Sequence, residues 1–311
     1  MVSTMAEPTN PIRLNAGCGL AYRPGYINFD LQPRDSLVDV AADLLALPFP
    51  PGAADQVVLS HVLEHVGKHD ALAALLEARR ALRVGGTIAL EVPDLEYCLR
   101  LWLNTPDPHR WGFPLDAIYG DQTHAGQFHK TGFTRSRLVE LVERAGFLVE
   151  QASGGTSHGV DVNRVLARRP PTFQSRSDLD ASLLLEDDRA LGRGWWQFER
   201  GPSGNFRWTA GNAEVYLRVP ESGSWRLRFA GHAALENVPG GKVTVRVGCD
   251  LQQVVKIQIE RSGPIACTAE LPAACASGEF HRVQLTVTPT FHVPGDERHL
   301  GIIVNELSLS Q

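Results

Sequence analysis

Residues 1–170 alternate short apolar runs with helical patterns, and this alternation constrains the fold more than any other feature. The leucines around Leu72 and Leu75 repeat at the 3.6-residue period of a helix that stops at Gly85 and Gly86. A second predicted helix begins after Thr134, a typical N-cap residue. This order of patterns predicts an α/β fold with a largely parallel sheet. The predicted strands are Ile12–Ala16, Tyr26–Asp30, Leu37–Ala41, Gln56–Ser60, Thr87–Val92, Phe147–Gln151 and Asn163–Ala167.

The sequence pattern changes after Pro170 and Pro171. Residues 171–194 are polar and acidic, and they predict a linker with at most one short helix. From residue 195 to residue 311, alternating strands separated by turn residues predict an all-β sandwich of the jelly-roll type. We therefore expect domains at 1–170 and 195–311. The predicted strands of the second domain are Ala213–Val219, Trp225–Phe229, Lys242–Val247, Val254–Glu260, Ile265–Leu271, His281–Thr288 and Gly301–Leu309.

Charge and composition exclude several classes of protein. The 311 residues carry a formal net charge of −5, which does not attract a phosphate backbone and argues against a nucleic-acid partner. The N-terminal segment, residues 1–11, lacks the charged start and apolar core of a signal peptide. No apolar run approaches the ~20 residues that span a bilayer. We therefore expect a cytoplasmic protein without a transmembrane segment.

The cysteines are scattered and form no CxxC pair. Their spacing predicts neither a zinc site nor a disulfide framework, so we expect reduced thiols and no metal centre. The cysteines are Cys18, Cys98, Cys249, Cys267 and Cys275.

A glycine-containing turn follows the first predicted strand. Gly17 and Gly19 allow the backbone to bend sharply and to approach a ligand without an intervening Cβ. Asp30 ends the next strand, where a carboxylate can accept hydrogen bonds from ribose hydroxyls. The full GxGxxG pattern is absent, which argues against a nicotinamide dinucleotide. The turn and the acid together predict a ribose-containing ligand at the carboxyl ends of the strands.

Motifs in order along residues 11–168 resemble those of class I S-adenosylmethionine-dependent methyltransferases. The resemblance implies a Rossmann-like domain that uses S-adenosylmethionine and releases S-adenosylhomocysteine. Only Leu20–Gly25 separates the glycine turn from the second strand, too short for the usual helix, and a subgroup of small methyltransferases shares this shortening. The motifs are Leu14–Gly19, Gly25–Asp30, Ala42–Leu44, Asp55–Val66 and Leu82–Gly86.

The resemblance also implies which residues bind the cofactor. The glycine turn would line its methionine part, Asp30 would hold the ribose, and Asp43 would face the adenine amino group. The end of the fourth strand would line the sulfonium region. The implied cofactor-binding residues are Asn15, Ala16, Gly17, Gly19, Asp30, Leu31, Asp43, Leu44, Ser60 and His61.

The segment from His61 to His65 has the sequence H-x-x-E-H, which also occurs on the helices of inverted zinc proteases. A zinc site would need both histidines on one face of a long helix and a further carboxylate. Here the motif directly follows an apolar strand, which disfavours zinc. Two interpretations stay open for His61 and His65. In one, each histidine caps local backbone; in the other, one of them faces the pocket as a base or an orienting group.

The segment Asp94–Phe133 is rich in Trp, His, Pro and Gly, and it predicts a long functional insertion that faces the substrate rather than a packed crossover. A hydroxyl acceptor is a poor nucleophile and needs a base such as His or a divalent cation. Asp94 and Asp121 leave a cation open, although no ligand spacing supports one. The candidate catalytic residues are His61, His65, Asp94, His124 and His129.

The C-terminal half suggests a glycan context. Its arrangement from Arg207–Thr209 to Asp296–Ile302 resembles a β-sandwich module attached to enzymes of bacterial surface-polysaccharide assembly. We therefore expect an O-methyltransferase for a sugar hydroxyl of a surface glycan or its lipid- or nucleotide-linked precursor. Other polysaccharide-assembly enzymes are candidate partners. The alternative is a non-catalytic scaffold whose β-sandwich binds glycan or a partner enzyme. Trp195, Trp196 and Trp225 either stack on sugar or pack in the core.

Overall fold

The computed structural model describes residues 11–32, 37–172, 182–183, 191–201, 204–250 and 252–311. The chain folds into two compact units, residues 1–174 and 175–311. Most of the expected linker, 171–194, lies outside the described residues. Among the described residues, no helix combines the length and the apolar character that a membrane span requires.

The N-terminal unit contains one seven-stranded sheet with the order β3-β2-β1-β4-β5-β7-β6. Strands β1 to β5 run parallel, whereas β7 is antiparallel to both β5 and β6. This arrangement is a Rossmann-like fold, as the family resemblance implied, and it contains the largely parallel sheet that the alternating pattern predicted. The strands are β1 (Arg13–Ala16), β2 (Ile27–Asp30), β3 (Val40–Ala41), β4 (Ala54–Ser60), β5 (Leu82–Pro93), β6 (Leu148–Ser157) and β7 (Val160–Arg168).

The two faces of this sheet differ in burial. Leu14 on β1 pairs with Val57 on β4, which pairs with Ile88 on β5, and all three side chains are fully buried. On the opposite face, Gln56 and Ser60 are half-buried. They help to line a shallow cavity of about 340 Å³. The apolar core of this unit therefore lies on one side of the sheet.

Helices α1 (Ala71–Ala81) and α4 (Arg135–Arg144) agree with the two predicted helices. The Thr134 hydroxyl accepts a hydrogen bond from the Arg137 amide at 3.2 Å, which confirms the predicted N-cap. The predicted helix end at Gly85 was wrong, because Leu82 already begins β5 and pairs with Ala54. A fully buried leucine fits either element, so the apolar period alone could not locate this boundary.

The expected unpacked insertion, Asp94–Phe133, is partly a packed helical region. It contains α2 (Leu95–Asn104) and α3 (Phe113–Tyr119). Cys98 on α2 and Ala117 on α3 are buried together with Val162 at the start of β7. Apolar periodicity did not predict these two helices, because aromatic and proline residues interrupt it between them.

The C-terminal unit contains two antiparallel sheets. One has the path β15-β12-β17-β10-β9 with β8 paired to β17, and the other has the order β11-β16-β13-β14. The two strands from 195 to 209 were not predicted, because their mixed Trp, Arg and Phe content shows no clear alternation. The strands are β8 (Ser182–Leu183), β9 (Trp195–Gly201), β10 (Gly204–Thr209), β11 (Asn212–Arg218), β12 (Arg226–Ala233), β13 (Val243–Cys249), β14 (Gln252–Ile259), β15 (Gly263–Glu270), β16 (Phe280–Thr288) and β17 (Ile303–Ser310).

Both sheets of this unit contribute to one apolar core. Val245 and Leu285 come from one sheet, Phe229 and Leu307 come from the other, and all four are fully buried. Trp195, Trp196 and Trp225 are partly buried against the same core. Of the two interpretations of these tryptophans, the structure supports a packing role.

Candidate functional site

A cavity of about 550 Å³ lies at the carboxyl ends of β1, β2 and β4. Strand order reverses between β1 and β4, and open α/β sheets bind ligands at such a switch point. The volume falls within the range of about 300–1,000 Å³ that is usual for small-molecule sites. The lining residues that the argument uses are Gly17, Gly19, Asp30, Asp43, His61, His65, His124 and Lys130.

Gly17 fits the floor of the cavity for two physical reasons. Its φ of +57° lies in the left-handed region, and a Cβ built on it would stand 2.7 Å from Cγ2 of Val62. A side chain at this position would therefore be strained and would collide with the segment after β4. Only glycine brings the backbone this close to the cavity.

Two carboxylates that line the cavity are fixed by backbone amides. Asp30 Oδ2 accepts a hydrogen bond from the Gly19 amide at 3.0 Å, and its Oδ1 accepts from the Gln32 amide at 3.0 Å. Asp43 Oδ1 accepts from the Leu45 amide at 2.9 Å. The amides hold both acids in defined orientations, and the Gly19 bond ties Asp30 to the glycine turn.

The cavity contains most of the residues assigned to the cofactor from the sequence. Asn15, Ala16 and Ser60 are the exceptions. Asn15 and Ala16 are buried, and the Ser60 hydroxyl turns to the opposite face, where it donates to Glu91 Oε1 at 3.1 Å. Successive residues of a strand alternate between faces, which explains why adjacent residues of one motif separate. The residues that line the cavity as predicted are Gly17, Gly19, Asp30, Leu31, Asp43, Leu44 and His61.

A pair of buried asparagines closes the shortened connection between β1 and β2. Asn15 donates from Nδ2 to Asn28 Oδ1 at 2.8 Å and to the Ala21 carbonyl at 2.9 Å. Asn28 also accepts from the Arg23 amide and donates to the Tyr26 carbonyl. Side-chain amides thus satisfy backbone groups in a connection too short for a helix.

His61 lies between two carboxylates at the end of β4. Its Nδ1 is 3.4 Å from Glu64 Oε1, and its Nε2 is 3.3 Å from Glu91 Oε1. Burial acts in the opposite direction, but these two acids raise the pKa of His61 above its usual value. The backbone of His61 is left-handed, with a φ of +56°. A strained residue of this kind at the end of a strand often marks a functional site.

The hydrogen bonds of two other histidines fix their tautomers. His65 Nδ1 is 3.1 Å from the Phe128 carbonyl oxygen, which can only accept, so Nδ1 carries the proton and Nε2 of the neutral ring is free to accept one. His124 Nδ1 accepts from the Gly126 amide at 3.1 Å, which leaves Nε2 as the donor of its neutral ring. The neutral rings therefore have opposite hydrogen-bonding roles at Nε2. His124 is also the N-cap of the short turn Ala125–Gln127.

Glu64 is a buried acid beside these histidines. It is 2% exposed, and neither of its carboxylate oxygens has a hydrogen-bond partner among the described residues. His129 lies behind His65, with ring centroids 4.9 Å apart, and burial lowers the pKa of His129. Glu64, His65 and His129 could also hold a divalent metal, because their donor atoms lie within 4.8 Å of one another.

The remaining acids proposed from the sequence have local structural partners. Asp94 is the N-cap of α2 and accepts from the Glu96 amide at 3.0 Å. Asp121 accepts from the Thr123 amide at 3.0 Å and from its hydroxyl at 2.9 Å. Neither acid lines the cavity. Their assignments as catalytic or metal-binding groups stay predictions.

Sequence reasoning did not assign Glu64 or Glu91, although Glu64 lies within the H-x-x-E-H motif. The motif's Leu63–His65 segment forms a single 3-10 turn rather than a long helix, as the position after a strand had indicated. No sequence feature pointed to Glu91, because an acidic residue within an apolar strand commonly lies on the solvent-exposed face of a sheet.

Comparisons with known proteins relate the N-terminal unit to methyltransferases. The family described as "Methyltransferase domain" matches residues 25–90. A probable S-adenosylmethionine-dependent methyltransferase of Mycolicibacterium smegmatis is 28% identical over 172 residues, which are 50% of this chain and 58% of that protein. Residues 25–90 thus match a methyltransferase family, and the N-terminal unit is similar to an S-adenosylmethionine-dependent methyltransferase. It spans little more than half the length of this curated relative.

Solved structures also resemble the methyltransferase domain. The 1,6-didemethyltoxoflavin-N1-methyltransferase of Burkholderia thailandensis, solved with S-adenosylhomocysteine, has 19% identity and a TM-score of 0.37 over 52% of this chain and 72% of that chain. A possible histamine N-methyltransferase of Thermotoga maritima has 16% identity and a TM-score of 0.38 over 52% of this chain and 83% of that chain.

The cavity of the N-terminal unit fits S-adenosylmethionine. At Gly17 a Cβ would meet Val62 at 2.7 Å, so the backbone surface is open only because glycine stands there. The Asp30 and Asp43 carboxylates line the same cavity and can accept hydrogen bonds from hydroxyl and amino groups. The exposed Leu31 side chain, 64% accessible, offers an apolar surface for a flat ring beside Asp30.

Proposed function

We propose that the protein transfers a methyl group from S-adenosylmethionine to a hydroxyl of a saccharide. The observation that carries this proposal is the tautomer of His65. The Phe128 carbonyl holds the proton on Nδ1 and leaves Nε2 as an acceptor in a ring that lines the cavity. A hydroxyl acceptor needs such a base, whereas a more nucleophilic amine does not.

Binding of the cofactor follows from the residues at the ends of β1, β2 and β3. Gly17 and Gly19 bring the backbone against the methionine part, Asp30 accepts from the ribose hydroxyls, and Asp43 accepts from the adenine amino group. When bound, S-adenosylmethionine supplies an electrophilic methyl group. The chain's part is to align the acceptor oxygen with that group and to exclude water.

His61 has a different role from His65. Its raised pKa and its position between Glu64 and Glu91 favour the protonated ring, which cannot take a proton from the acceptor. We assign His61 to positioning at the end of β4, where its contacts orient the Glu64 carboxylate. His65 Nε2 then accepts the hydroxyl proton as the methyl group is transferred.

Two exposed aromatic residues, whose backbone carbonyls contact His65 and His129, support a sugar acceptor. Phe128 supplies the carbonyl that holds His65, and Tyr119 accepts a hydrogen bond from the His129 amide at 2.9 Å. Their side chains are 42% and 53% exposed. Aromatic rings offer an apolar face to the C–H surface of a sugar ring, while neighbouring polar groups bind its hydroxyls.

We also propose that the C-terminal unit is a β-sandwich of the jelly-roll type that associates with surface-polysaccharide enzymes. Its two antiparallel sheets and their shared apolar core support this assignment. The scaffold alternative, in which the methyltransferase domain binds without turnover, predicts cofactor binding but no release of S-adenosylhomocysteine.

The test combines binding and turnover. Titration of the full chain with S-adenosylmethionine should show binding, and Asp30→Ala should weaken it about 10–100-fold, because hydrogen bonds to a charged group are lost. Asp116→Ala on the exposed face of α3 is the matched control and should bind normally. A folded wild-type chain without affinity for S-adenosylmethionine would refute the proposal.

Turnover tests the assignment of the base. With a saccharide acceptor, His65→Gln should lower kcat about 10²–10⁴-fold and leave cofactor binding unchanged. His109→Gln, an exposed histidine outside the cavity, is the control. Unchanged turnover in His65→Gln, or release of S-adenosylhomocysteine with an amine but with no saccharide, would contradict the proposed chemistry.

A further inference from the structure

Four side chains with metal-binding atoms converge at one end of the C-terminal unit. Cys249 ends β13, Asp250 follows it, Cys275 lies in the short turn Ala273–Cys275, and His281 belongs to β16. One donor atom from each lies within 4.8 Å of the others. No short cysteine spacing announces this cluster, because its members come from three separate segments of the chain.

Burial of the thiols alone does not explain the cluster. Cys249 is 1% exposed and Cys275 is 4% exposed, and isolated buried cysteines are common as small apolar residues. Cys267 on β15 illustrates that ordinary case, since it is buried in the same core outside the cluster. A carboxylate and an imidazole beside two thiols require a different explanation.

Neighbouring groups orient the imidazole and the carboxylate. His281 Nε2 contacts the Ser277 hydroxyl at 2.8 Å, and Asp250 Oδ1 accepts from the Arg282 amide at 2.8 Å. The other atoms of the two groups, His281 Nδ1 and Asp250 Oδ2, are in direct contact. Metal-binding histidines commonly have such a second partner on the remote nitrogen, which fixes the ring.

We propose that Cys249, Asp250, Cys275 and His281 bind one zinc ion. Two thiolates, an imidazole and a carboxylate form a four-ligand set of the kind that zinc takes in tetrahedral geometry. The zinc–sulfur distance of about 2.3 Å sets bound thiolates roughly 3.8 Å apart. The two sulfurs are 2.9 Å apart, so they would separate on binding.

The origin of the four ligands in the chain also indicates the role of the metal. A closed set of four protein ligands indicates a structural site, which would tie the end of β13 to the start of β16 and to the turn before it.

Metal content and cobalt spectra of the full chain test the proposal. The reduced protein, purified without chelator, should retain about one zinc per chain. Cobalt loading should give a thiolate charge-transfer band and the intense visible bands of tetrahedral cobalt. Cys249→Ser and Cys275→Ser should lose both signals, and Cys267→Ser, the same change at a buried cysteine outside the cluster, should keep them.

Two milder variants keep the test valid where a cysteine variant fails to fold. Asp250→Asn changes a half-exposed side chain, and Ser277→Ala removes the hydroxyl that contacts His281 Nε2 at 2.8 Å and accepts from the Glu279 amide at 3.3 Å. Ser277→Ala should weaken zinc affinity about 10–100-fold, as loss of such a partner usually does. Asp250→Asn should weaken it and shift the cobalt bands.

Three results would overturn the proposal. One is a folded wild-type chain that neither retains zinc nor gives the cobalt bands. Another is a Cys249–Cys275 disulfide in protein purified under reducing conditions. The third is labelling of Ser277 by a fluorophosphonate, which would assign the contacts among Asp250, His281 and Ser277 to nucleophilic chemistry. None of these results bears on the methyltransferase domain.

Discussion

Gly17 shows how one residue opens the floor of the cofactor cavity. We expect Gly17→Ala to weaken S-adenosylmethionine binding by about tenfold or more and to destabilise the fold by about 1–3 kcal/mol, since the position combines a left-handed φ with a 2.7 Å contact to Val62. Calorimetric titration and thermal unfolding measure both effects. Gly25→Ala is the matched control, because Gly25 has a φ of +79° but open space around its Cβ. Equal losses of binding and stability in both variants would show that backbone strain alone causes the effect and that the contact with Val62 does not contribute.

His61 gives the N-terminal unit a pH-dependent stability. Its folded pKa lies above the usual 6.5, although burial opposes the rise, because Glu64 and Glu91 favour the charged ring. The stabilisation is therefore complete below about pH 6.5 and is lost as the pH rises through the folded pKa. The Tm difference between wild type and His61→Gln should be largest in mild acid and shrink in base, whereas exposed His109→Gln should show no trend. A difference that grows with pH would contradict this sign.

At the scale of elements, the connection between β1 and β2 depends on two amides instead of a helix. Asn28 is fully buried. Its side chain accepts hydrogen bonds from Asn15 and the Arg23 amide and donates one to the Tyr26 carbonyl. Asn28→Ala should lower the stability of this unit by about 3 kcal/mol, because several buried polar groups lose partners at once. Urea denaturation measures this loss. The control, Asn104→Ala at the exposed end of α2, should change stability by less than about 0.5 kcal/mol. A similar loss of stability in both variants would contradict a particular contribution of Asn28 to this connection.

The elements also show how far the sequence predicts this molecule. The strands of the α/β unit and the N-cap at Thr134 follow from apolar periodicity and capping chemistry, both of which are local. The helices α2 and α3 were missed because their apolar sides contact β7, which lies about 40 or more residues further along the chain. A local sequence pattern gives no information about packing partners so far along the chain.

Some features of the candidate site could likewise be predicted from the sequence, and others could not. Gly17, Asp30 and Asp43 follow motifs at strand ends, so their position in the cavity could be predicted. The roles of His65 and His124 could not, because a tautomer depends on whether the backbone group opposite is a carbonyl or an amide. The pairing of His65 exists only once the segment 124–130 has folded against the turn after β4, whereas that of His124 lies within this segment.

For the whole molecule, the cofactor cavity gathers segments that are far apart in the chain. S-adenosylhomocysteine should therefore slow amide hydrogen exchange in residues 17–20, 30–32, 42–44, 61–66 and 124–130, which together line one cavity. Mass spectrometry of proteolytic fragments locates this protection. Asp30→Ala at the same ligand concentration is the control and should show weaker protection. Protection confined to residues 204–250 or 252–311 would place the ligand in the wrong unit.

The short connection between β1 and β2 changes the conformational entropy of the chain. Residues 17–26 join two parallel strands that usually need a crossover of about a dozen residues or more, with a helix inside. The entropy lost on closing a loop grows with its length, by about 0.6 kcal/mol for each doubling. Without a helix here, the sheet lacks the stabilisation that packing of an apolar helix face would give. The smaller entropy loss on closing the short connection offsets part of this missing stabilisation.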